Sequence, residues 1–144
     1  MTISKASTTW KGDLMKGSGE VSAASGVFRD APVSWARRAE DRSSGTSPEE
    51  LIAAAHASCF SMALAAQLGR NDTPPTSLEV SAAVTFDKAD GGFRIVSSAL
   101  EVVGEVPGID EATFKKIADG AKDGCPVSQA LKGNVKLSVS ARLA

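Results

Sequence analysis

The side chains best suited to covalent chemistry in this sequence are two thiols, Cys59 and Cys125. Cys59 lies in the nearly unbroken apolar stretch LIAAAHASCFSMALAAQLG, where burial disfavours the charged form of a thiol. A cysteine in such a stretch is either a small hydrophobic core residue or a nucleophile to which the fold brings a cation. The stretch alone leaves both interpretations open.

Cys125 opens the segment CPVSQAL, in which Pro126 suits the first position of a short helix. A thiol at a helix N-terminus faces free backbone N–H groups and the positive end of the helix dipole, and both favour the thiolate. Its local setting therefore makes Cys125 a candidate reactive thiol.

Two neighbouring arginines, Arg37 and Arg38, are the cations that could serve Cys59. Arginine stays charged and donates hydrogen bonds to oxygen-bearing substrates, and a carboxylate is needed to orient it. Glu49 is freer for this than Glu50, because Glu50 is expected to complete a capping box. The alternative is that both arginines are surface charges and that Glu49 only complements a helix dipole.

His56 is the only histidine, and it precedes Cys59 by about one helical turn. It could act as a base, but we expect it to be a core residue whose ring nitrogens are hydrogen-bonded. With both cysteines it would give three zinc ligands of the four required, and no C-x-x-C or H-x-x-H spacing exists. We expect no metal and no other cofactor.

The element that positions Cys59 is the clearest helix in the sequence, with Ser47 as N-cap, Pro48 at the first position and Gly69 as the stop. It is apolar nearly all round, so it is predicted to be buried on most sides. A membrane span is the competing interpretation, which we reject because much of the run is alanine, interrupted by one histidine and two serines. A homodimer that pairs this helix with its twin would cover its second side.

The remaining elements are strands and two shorter helices. Short strands are predicted in the Gly-, Ser- and Thr-rich first third, and the segment APVSWARRAE is predicted to be extended. A hairpin begins near Leu78, turns at Asp90-Gly91-Gly92 and carries a bulge between Ile95 and Leu100.

The second helix is predicted to run from about Asp110, its N-cap, to Lys122, with Gly124 as the residue that ends it. The expected buried stripe of this helix is Phe114, Ile117, Ala118 and Ala121. A short third helix and an alternating last strand, Val135 to Leu143, complete a single α+β domain over residues 1–144. Its sheet is predicted to be largely antiparallel and packed on the helices.

The bulk composition bounds the class of protein. A formal net charge of −1 gives no general attraction to nucleic acid or to an anionic membrane. The N-terminal residues contain no apolar segment of a secretory signal, so we expect a cytoplasmic protein. In that reducing compartment two cysteines are unsuited to a permanent structural disulfide.

Two separate cysteine motifs, TSPEELIAAAHASCFSMAL and DGCPVSQAL, resemble those of the OsmC/Ohr family of thiol-dependent hydroperoxide reductases, and of its OsmC branch in particular. The resemblance extends to W-x-G-D near Trp10 and VPGID at 106–110, and so covers nearly the whole chain. It implies an intertwined homodimer whose sheets wrap two long buried central helices, with active sites at the subunit interface.

The resemblance also implies the site residues. Cys59 matches the peroxidatic cysteine and Cys125 the resolving cysteine. Glu49, ten positions before Cys59, matches the carboxylate that pairs with the active-site arginine. Counting along the aromatic-x-x-Arg pattern from Trp35 gives Arg38, with Arg37 in reserve.

The implied function is reduction of organic hydroperoxides to alcohols, and more weakly of hydrogen peroxide. It would run through a Cys59 sulfenic acid and a Cys59–Cys125 disulfide, which a dithiol reductant of the lipoyl type would reset. An apolar wall of Phe60, Met62 and Trp35 would suit organic substrates. The alternatives are a redox sensor without turnover and a structural or ligand-binding stress protein that uses the same thiols.

Overall fold

A computed structural model of the chain describes residues 1–41 and 44–144. The chain forms two compact units, Met1–Leu51 and Ile52–Ala144. Each unit contains one three-stranded sheet. The α+β class is confirmed, and the assignment of residues 1–144 to a single domain stays a prediction.

The sheet of the first unit is an antiparallel meander of β1 (Ala6–Lys11), β2 (Ser18–Ala23) and β3 (Ala31–Val33). It is followed by a short helix, α1 (Trp35–Ala39), where an extended segment was predicted, so that prediction was wrong for these residues. The Ser34 side chain caps α1 by accepting a hydrogen bond from the Arg37 N–H, and alanine and arginine favour helix.

The chain that enters the long helix is held against β3 at Gly45. Gly45 has a φ of 100°, and a Cβ atom there would come within 2.4 Å of the Pro32 carbonyl oxygen. The next residue, Thr46, donates its N–H to the same oxygen at 2.9 Å. A glycine is therefore required for this close approach.

The long helix α2 spans Pro48–Arg70, and its N-cap is Ser47, as predicted. Ser47 Oγ accepts from the Glu50 N–H at 3.1 Å, but the Glu50 carboxylate accepts from the Thr46 hydroxyl at 2.7 Å, which is not the contact of a capping box. The predicted stop at Gly69 was wrong by one residue. The reversal is made just beyond Arg70, where Asp72 adopts a φ of 58°.

One face of α2 is buried and the opposite face is exposed. The buried positions His56, Phe60, Leu64 and Leu68 recur every four residues. Met62 is 68% exposed, so the expectation of burial on most sides was wrong for the single chain. Helix α2 has the length and composition of a membrane span, criteria that core helices of soluble proteins also meet. The rejection of a membrane span stays a prediction.

The sheet of the second unit contains β4 (Ser77–Ala89), β5 (Gly92–Glu105) and β6 (Lys136–Leu143). Strands β4 and β5 form the predicted antiparallel hairpin, and Asp90 and Gly91 make its turn with positive φ. The predicted bulge is present, because Thr85 pairs with Ser97 and Phe86 with Ile95. Strand β6 pairs with β5 in parallel.

The two shorter helices are α3 (Glu111–Gly124) and α4 (Pro126–Leu131). Asp110 caps α3 as predicted, accepting the Thr113 N–H at 2.8 Å, and Cys125 is the N-cap of α4. The fully buried residues Phe114, Ala118 and Ala121 form the inner stripe of α3, while Ile117 is partly buried. They join one core with the buried face of α2 and with residues of β5 and β6.

Candidate active site

The two thiols of the chain lie next to each other in the second unit. Cys59 projects from the middle of α2 and Cys125 from the N-cap of α4, and both are free cysteines. Their side chains are within hydrogen-bonding distance. Cys125 is fully buried in the core, whereas Cys59 is partly exposed. Cys59 is thus the thiol that an incoming molecule can reach.

Burial and two hydrogen-bonding neighbours, Cys125 and Val127, shift the pKa of the Cys59 thiol. Burial raises the pKa of the Cys59 thiol, and the hydrogen bond to Cys125 raises it further. The backbone N–H of Val127, in the first turn of α4, donates to the Cys59 sulfur and lowers that pKa in part. Without a nearby cation, Cys59 is therefore held mainly as the neutral thiol.

A backbone N–H at the N-terminus of α4 contacts Cys59, and not Cys125 as the sequence suggested. The free N–H groups were expected to stabilise Cys125, but the Val127 N–H is directed at Cys59. In the described part of the chain, the Cys125 side chain makes no capping hydrogen bond to α4. The side chain of an N-cap residue can point away from its own helix. The expectation that the N–H groups of α4 contact the Cys125 thiol was therefore wrong.

An arginine–carboxylate pair lies in the first unit. Arg38 donates from Nε and Nη2 to the same oxygen of Glu49, Oε1, at 3.0 and 2.8 Å. Glu49 is 1% exposed and Arg38 is 33% exposed. The expected pairing of Glu49 with an arginine is present, and the partner is Arg38.

The neighbouring Arg37 is directed elsewhere. Its Nε donates to the carbonyl oxygen of Ser44, and its Nη1 lies 3.4 Å from Ser34 Oγ. Arg37 therefore ties α1 to the loop before α2. That Arg38 acts on Cys59 stays a prediction, since the pair and the thiols belong to different units.

An apolar cavity of about 380 Å³ adjoins Arg38 in the first unit. Most of its wall is hydrophobic, and the lining residues are Thr8, Trp10, Leu14, Val21, Val33, Ser34, Trp35, Arg38, Pro48 and Leu51. Trp35 was expected in an apolar wall around Cys59, and it lines this cavity of the first unit. Phe60 was expected in the same wall, but it is fully buried in the core of the second unit and offers no surface to a substrate.

His56 is a hydrogen-bonded core residue, as predicted. It is fully buried, with Nδ1 2.7 Å from Ser98 Oγ on β5 and Nε2 2.7 Å from Ser128 Oγ on α4. Burial lowers the pKa of the imidazole, which keeps the ring neutral. No role was predicted for Ser98, Ser128 or Val127. Val127 and Ser128 lie within the motif CPVSQAL, whereas Ser98 had no signal in the sequence.

The residues described, 1–41 and 44–144, hold no group of three or more His, Cys, Asp or Glu side chains that could bind a metal ion. The described residues bring together a thiol pair in one unit and, in the other, an arginine–carboxylate pair beside an apolar cavity.

Comparison with known proteins defines the class of protein. The model of the OsmC-like protein family matches residues 40–140. Peroxiredoxin OsmC of Escherichia coli (strain K12) is 49% identical over 138 residues, which cover 95% of this chain and 96% of that protein. An organic hydroperoxide resistance protein of Xanthomonas axonopodis pv. citri (strain 306) is 34% identical over 97 residues, covering 67% and 66%.

Comparison of the fold with solved structures points to the same class of protein. The crystal structure of the organic hydroperoxide resistance protein OhrB of Bacillus subtilis superposes with a TM-score of 0.76 at 28% identity, covering 96% of this chain and 98% of that one. The chain therefore belongs to the OsmC-like protein family. Its activity class is that of a peroxidase.

Proposed function

We propose that the chain, with Cys59 as the peroxidatic residue, reduces organic hydroperoxides to alcohols and, more weakly, hydrogen peroxide to water. The Cys59 thiolate attacks the terminal peroxide oxygen, the O–O bond breaks, and the alcohol leaves with a proton. Cys59 becomes a sulfenic acid. Cys125 then displaces water from it and forms the Cys59–Cys125 disulfide. A dithiol of the lipoyl type returns both residues to thiols and leaves as its own disulfide.

The observation that carries this proposal is the contact between the two thiols. Cys59 is reachable and Cys125 is fully buried behind it. This division suits a residue that meets the peroxide and a residue that meets only the resulting sulfenic acid. A resolving thiol already within hydrogen-bonding distance needs only a small displacement to form the disulfide.

The proposal gives Arg38 and Glu49 the task of ionising Cys59. Burial and Cys125 both raise the pKa of Cys59, so a cation must oppose them to make a thiolate at neutral pH. We propose that the Arg38 guanidinium reaches the Cys59 sulfur in the assembled protein and aligns the peroxide oxygen. Glu49 is buried and accepts two hydrogen bonds from Arg38, which suits a group that fixes the guanidinium.

The preference for organic substrates rests on the cavity beside Arg38. Its wall includes Trp10, Leu14 and Trp35, which favour an alkyl or aryl group over water. We propose that the organic part of the hydroperoxide occupies this cavity while Arg38 donates to the peroxide oxygen. Hydrogen peroxide has no such group, which accounts for its weaker reduction.

The homodimer that we propose would cover the exposed face of α2. This face consists of small residues and one methionine: Ala54, Ala55, Ser58, Met62 and Ala66. Pairing α2 with its twin would bury the face, and small side chains let two helices approach closely. We place the protein in the cytoplasm, where dithiol reductants are kept reduced.

A mass measurement on the intact protein tests the thiol roles. After one equivalent of cumene hydroperoxide, the wild type should lose two hydrogens as Cys59 and Cys125 join. Cys125→Ser should gain one oxygen, retained as a sulfenic acid that dimedone traps, and Cys59→Ser should not change. Unchanged masses in both the wild type and Cys125→Ser would contradict the proposal.

A further inference from the structure

The proposed reaction leaves one buried titratable residue without a task. His56 sits in the middle of α2 with both ring nitrogens engaged, by Ser98 on one side and Ser128 on the other. A neutral imidazole carries one N–H and one bare nitrogen, so one of these hydroxyls accepts a hydrogen bond and the other donates one. His56 and Ser98 are 0% exposed, and Ser128 is 1% exposed. They form a satisfied polar link inside an apolar core.

This link lies one helical turn from the thiol contact on both helices. His56 precedes Cys59 by three residues on α2, and Ser128 follows Cys125 by three residues on α4. The 2.7 Å bond from His56 Nε2 to Ser128 therefore joins the same two helices that carry the thiols. A displacement of α4 that separated Cys125 from Cys59 would also stretch this bond.

The separation of the sulfurs decides between two fates of oxidised Cys59. In the productive fate the Cys125 thiol displaces water from the Cys59 sulfenic acid, and a bond of about 2.05 Å forms between the sulfurs. In the competing fate a second hydroperoxide transfers an oxygen atom to the sulfenic acid, which becomes a sulfinic acid as a second alcohol leaves. Any loosening of α4 favours the second fate.

We propose that the His56–Ser128 hydrogen bond is a positioning device that holds α4, and with it Cys125, against Cys59 for the disulfide-forming step. The inference rests on the proposed function. His56 and Ser128 are positioning residues, since they act through the placement of α4. Ser98 bonds the other side of the ring and anchors it to β5, so it does not hold α4.

Two serine variants separate this role from a general contribution to stability. Ser128→Ala and Ser98→Ala each remove one buried hydroxyl that lies 2.7 Å from the same ring, and they differ in the element released. Rapid quenching with dimedone and iodoacetamide, followed by mass measurement, gives the rates of sulfenic acid formation and of disulfide formation. The sulfinic acid fraction after about ten equivalents of cumene hydroperoxide reports the competing fate. Thermal melting compares the two losses of stability.

In Ser128→Ala, disulfide formation should be about threefold to tenfold slower, the effect of losing one hydrogen bond. Sulfenic acid formation is measured separately, because the Val127 N–H of α4 also contacts Cys59. The sulfinic acid fraction of Ser128→Ala should rise in proportion. Ser98→Ala should close the disulfide at the wild-type rate despite a similar drop in melting temperature. His56→Gln, which removes the ring nitrogen that bonds Ser128, gives a second variant and should resemble Ser128→Ala.

Equal slowing in the two serine variants would overturn the inference, and so would a wild-type rate of disulfide formation in Ser128→Ala and His56→Gln. Failure of the proposed function has a different signature. In that case the wild type itself forms no Cys59–Cys125 disulfide, which is established before any variant is compared.

Discussion

Removing the charge of Glu49 without changing its shape tests how the buried carboxylate acts on Arg38. In Glu49→Gln the amide oxygen can keep both hydrogen bonds that Arg38 now donates to Oε1. The amide nitrogen then takes the position of Oε2, which has no hydrogen-bond partner among the described residues. The variant therefore retains the fold and loses the charge that fixes the guanidinium.

The size of the effect follows from these two bonds. Arg38 stays charged in the variant, so each bond falls from the upper to the lower part of the roughly 1.5–3 kcal/mol that a hydrogen bond to a charged group contributes. The difference is about 1 kcal/mol for each bond, or about 2 kcal/mol for both. Arg38 is 33% exposed, so solvent screens part of this, and about 1–2 kcal/mol remains. We expect kcat/KM for an organic hydroperoxide to fall about fivefold to thirtyfold.

The assay is consumption of cumene hydroperoxide with dihydrolipoamide as the reductant, at several peroxide concentrations. Glu50→Gln is the matched control, because it is the next residue, loses the same charge and is exposed. Its carboxylate accepts from the Thr46 hydroxyl, whereas Arg38 pairs with Glu49, so the control should retain wild-type kcat/KM. A wild-type value for Glu49→Gln, or an equal loss in Glu50→Gln, would show that the charge of Glu49 has no specific effect on Arg38.

Three further perturbations test other parts of the account. Arg38→Met should raise the pKa of Cys59, so the pH profile of Cys59 oxidation by peroxide should shift to higher pH. Arg37→Met should keep the wild-type profile. Identical profiles for the two variants would contradict the assignment of Arg38 as the cation that ionises Cys59. Burial lowers the pKa of His56 below its ordinary value of about 6.5, so the unfolded chain binds a proton that the folded chain does not. The free energy of unfolding, from urea titrations, should therefore fall as pH drops below about 6.5 toward the lowered pKa, and His56→Gln should remove this part of the pH dependence; an unchanged slope would count against it. Met62→Lys should place like charges together in the proposed dimer and yield monomers in analytical ultracentrifugation, while a stable dimer would show that this face of α2 is not the interface.

The elements with local signals were predictable from the sequence. Asp110 caps α3 through a contact only three residues away, and the Asp90-Gly91 pair specifies the hairpin turn by its positive φ. The same holds for Cys125, which Pro126 places at the N-cap of α4. Each of these features depends on a few neighbouring residues, which the sequence displays directly.

The elements that depend on distant contacts were not predictable. The segment around Trp35 is an exception, because its helix has a local cap in Ser34, but the placing of Val33 and Trp35 on one face favoured an extended chain. The residue pattern of β6 gives its buried face but not its parallel pairing with β5. The apolar length of α2 predicted burial on most sides, whereas the second unit covers only the face that contains Phe60 and Leu64.

The contacts that build the candidate site also join residues that are far apart in the sequence. The pairing of Cys59 with Cys125 was implied by resemblance to a family, since nothing local relates the two motifs. Ser98 and Ser128 lie 42 and 72 residues from His56, so no spacing rule indicates that they meet on its ring. The sequence could predict only that a buried histidine needs partners.

Steady-state turnover distinguishes a peroxidase from a thiol pair that is oxidised only once. With excess dihydrolipoamide, the wild type should consume many equivalents of cumene hydroperoxide per protomer, and Cys59→Ser should consume none above the background reaction. Consumption that stops after one equivalent per protomer would contradict the account, because a thiol pair that is oxidised once and not reset is a sensor and not a peroxidase.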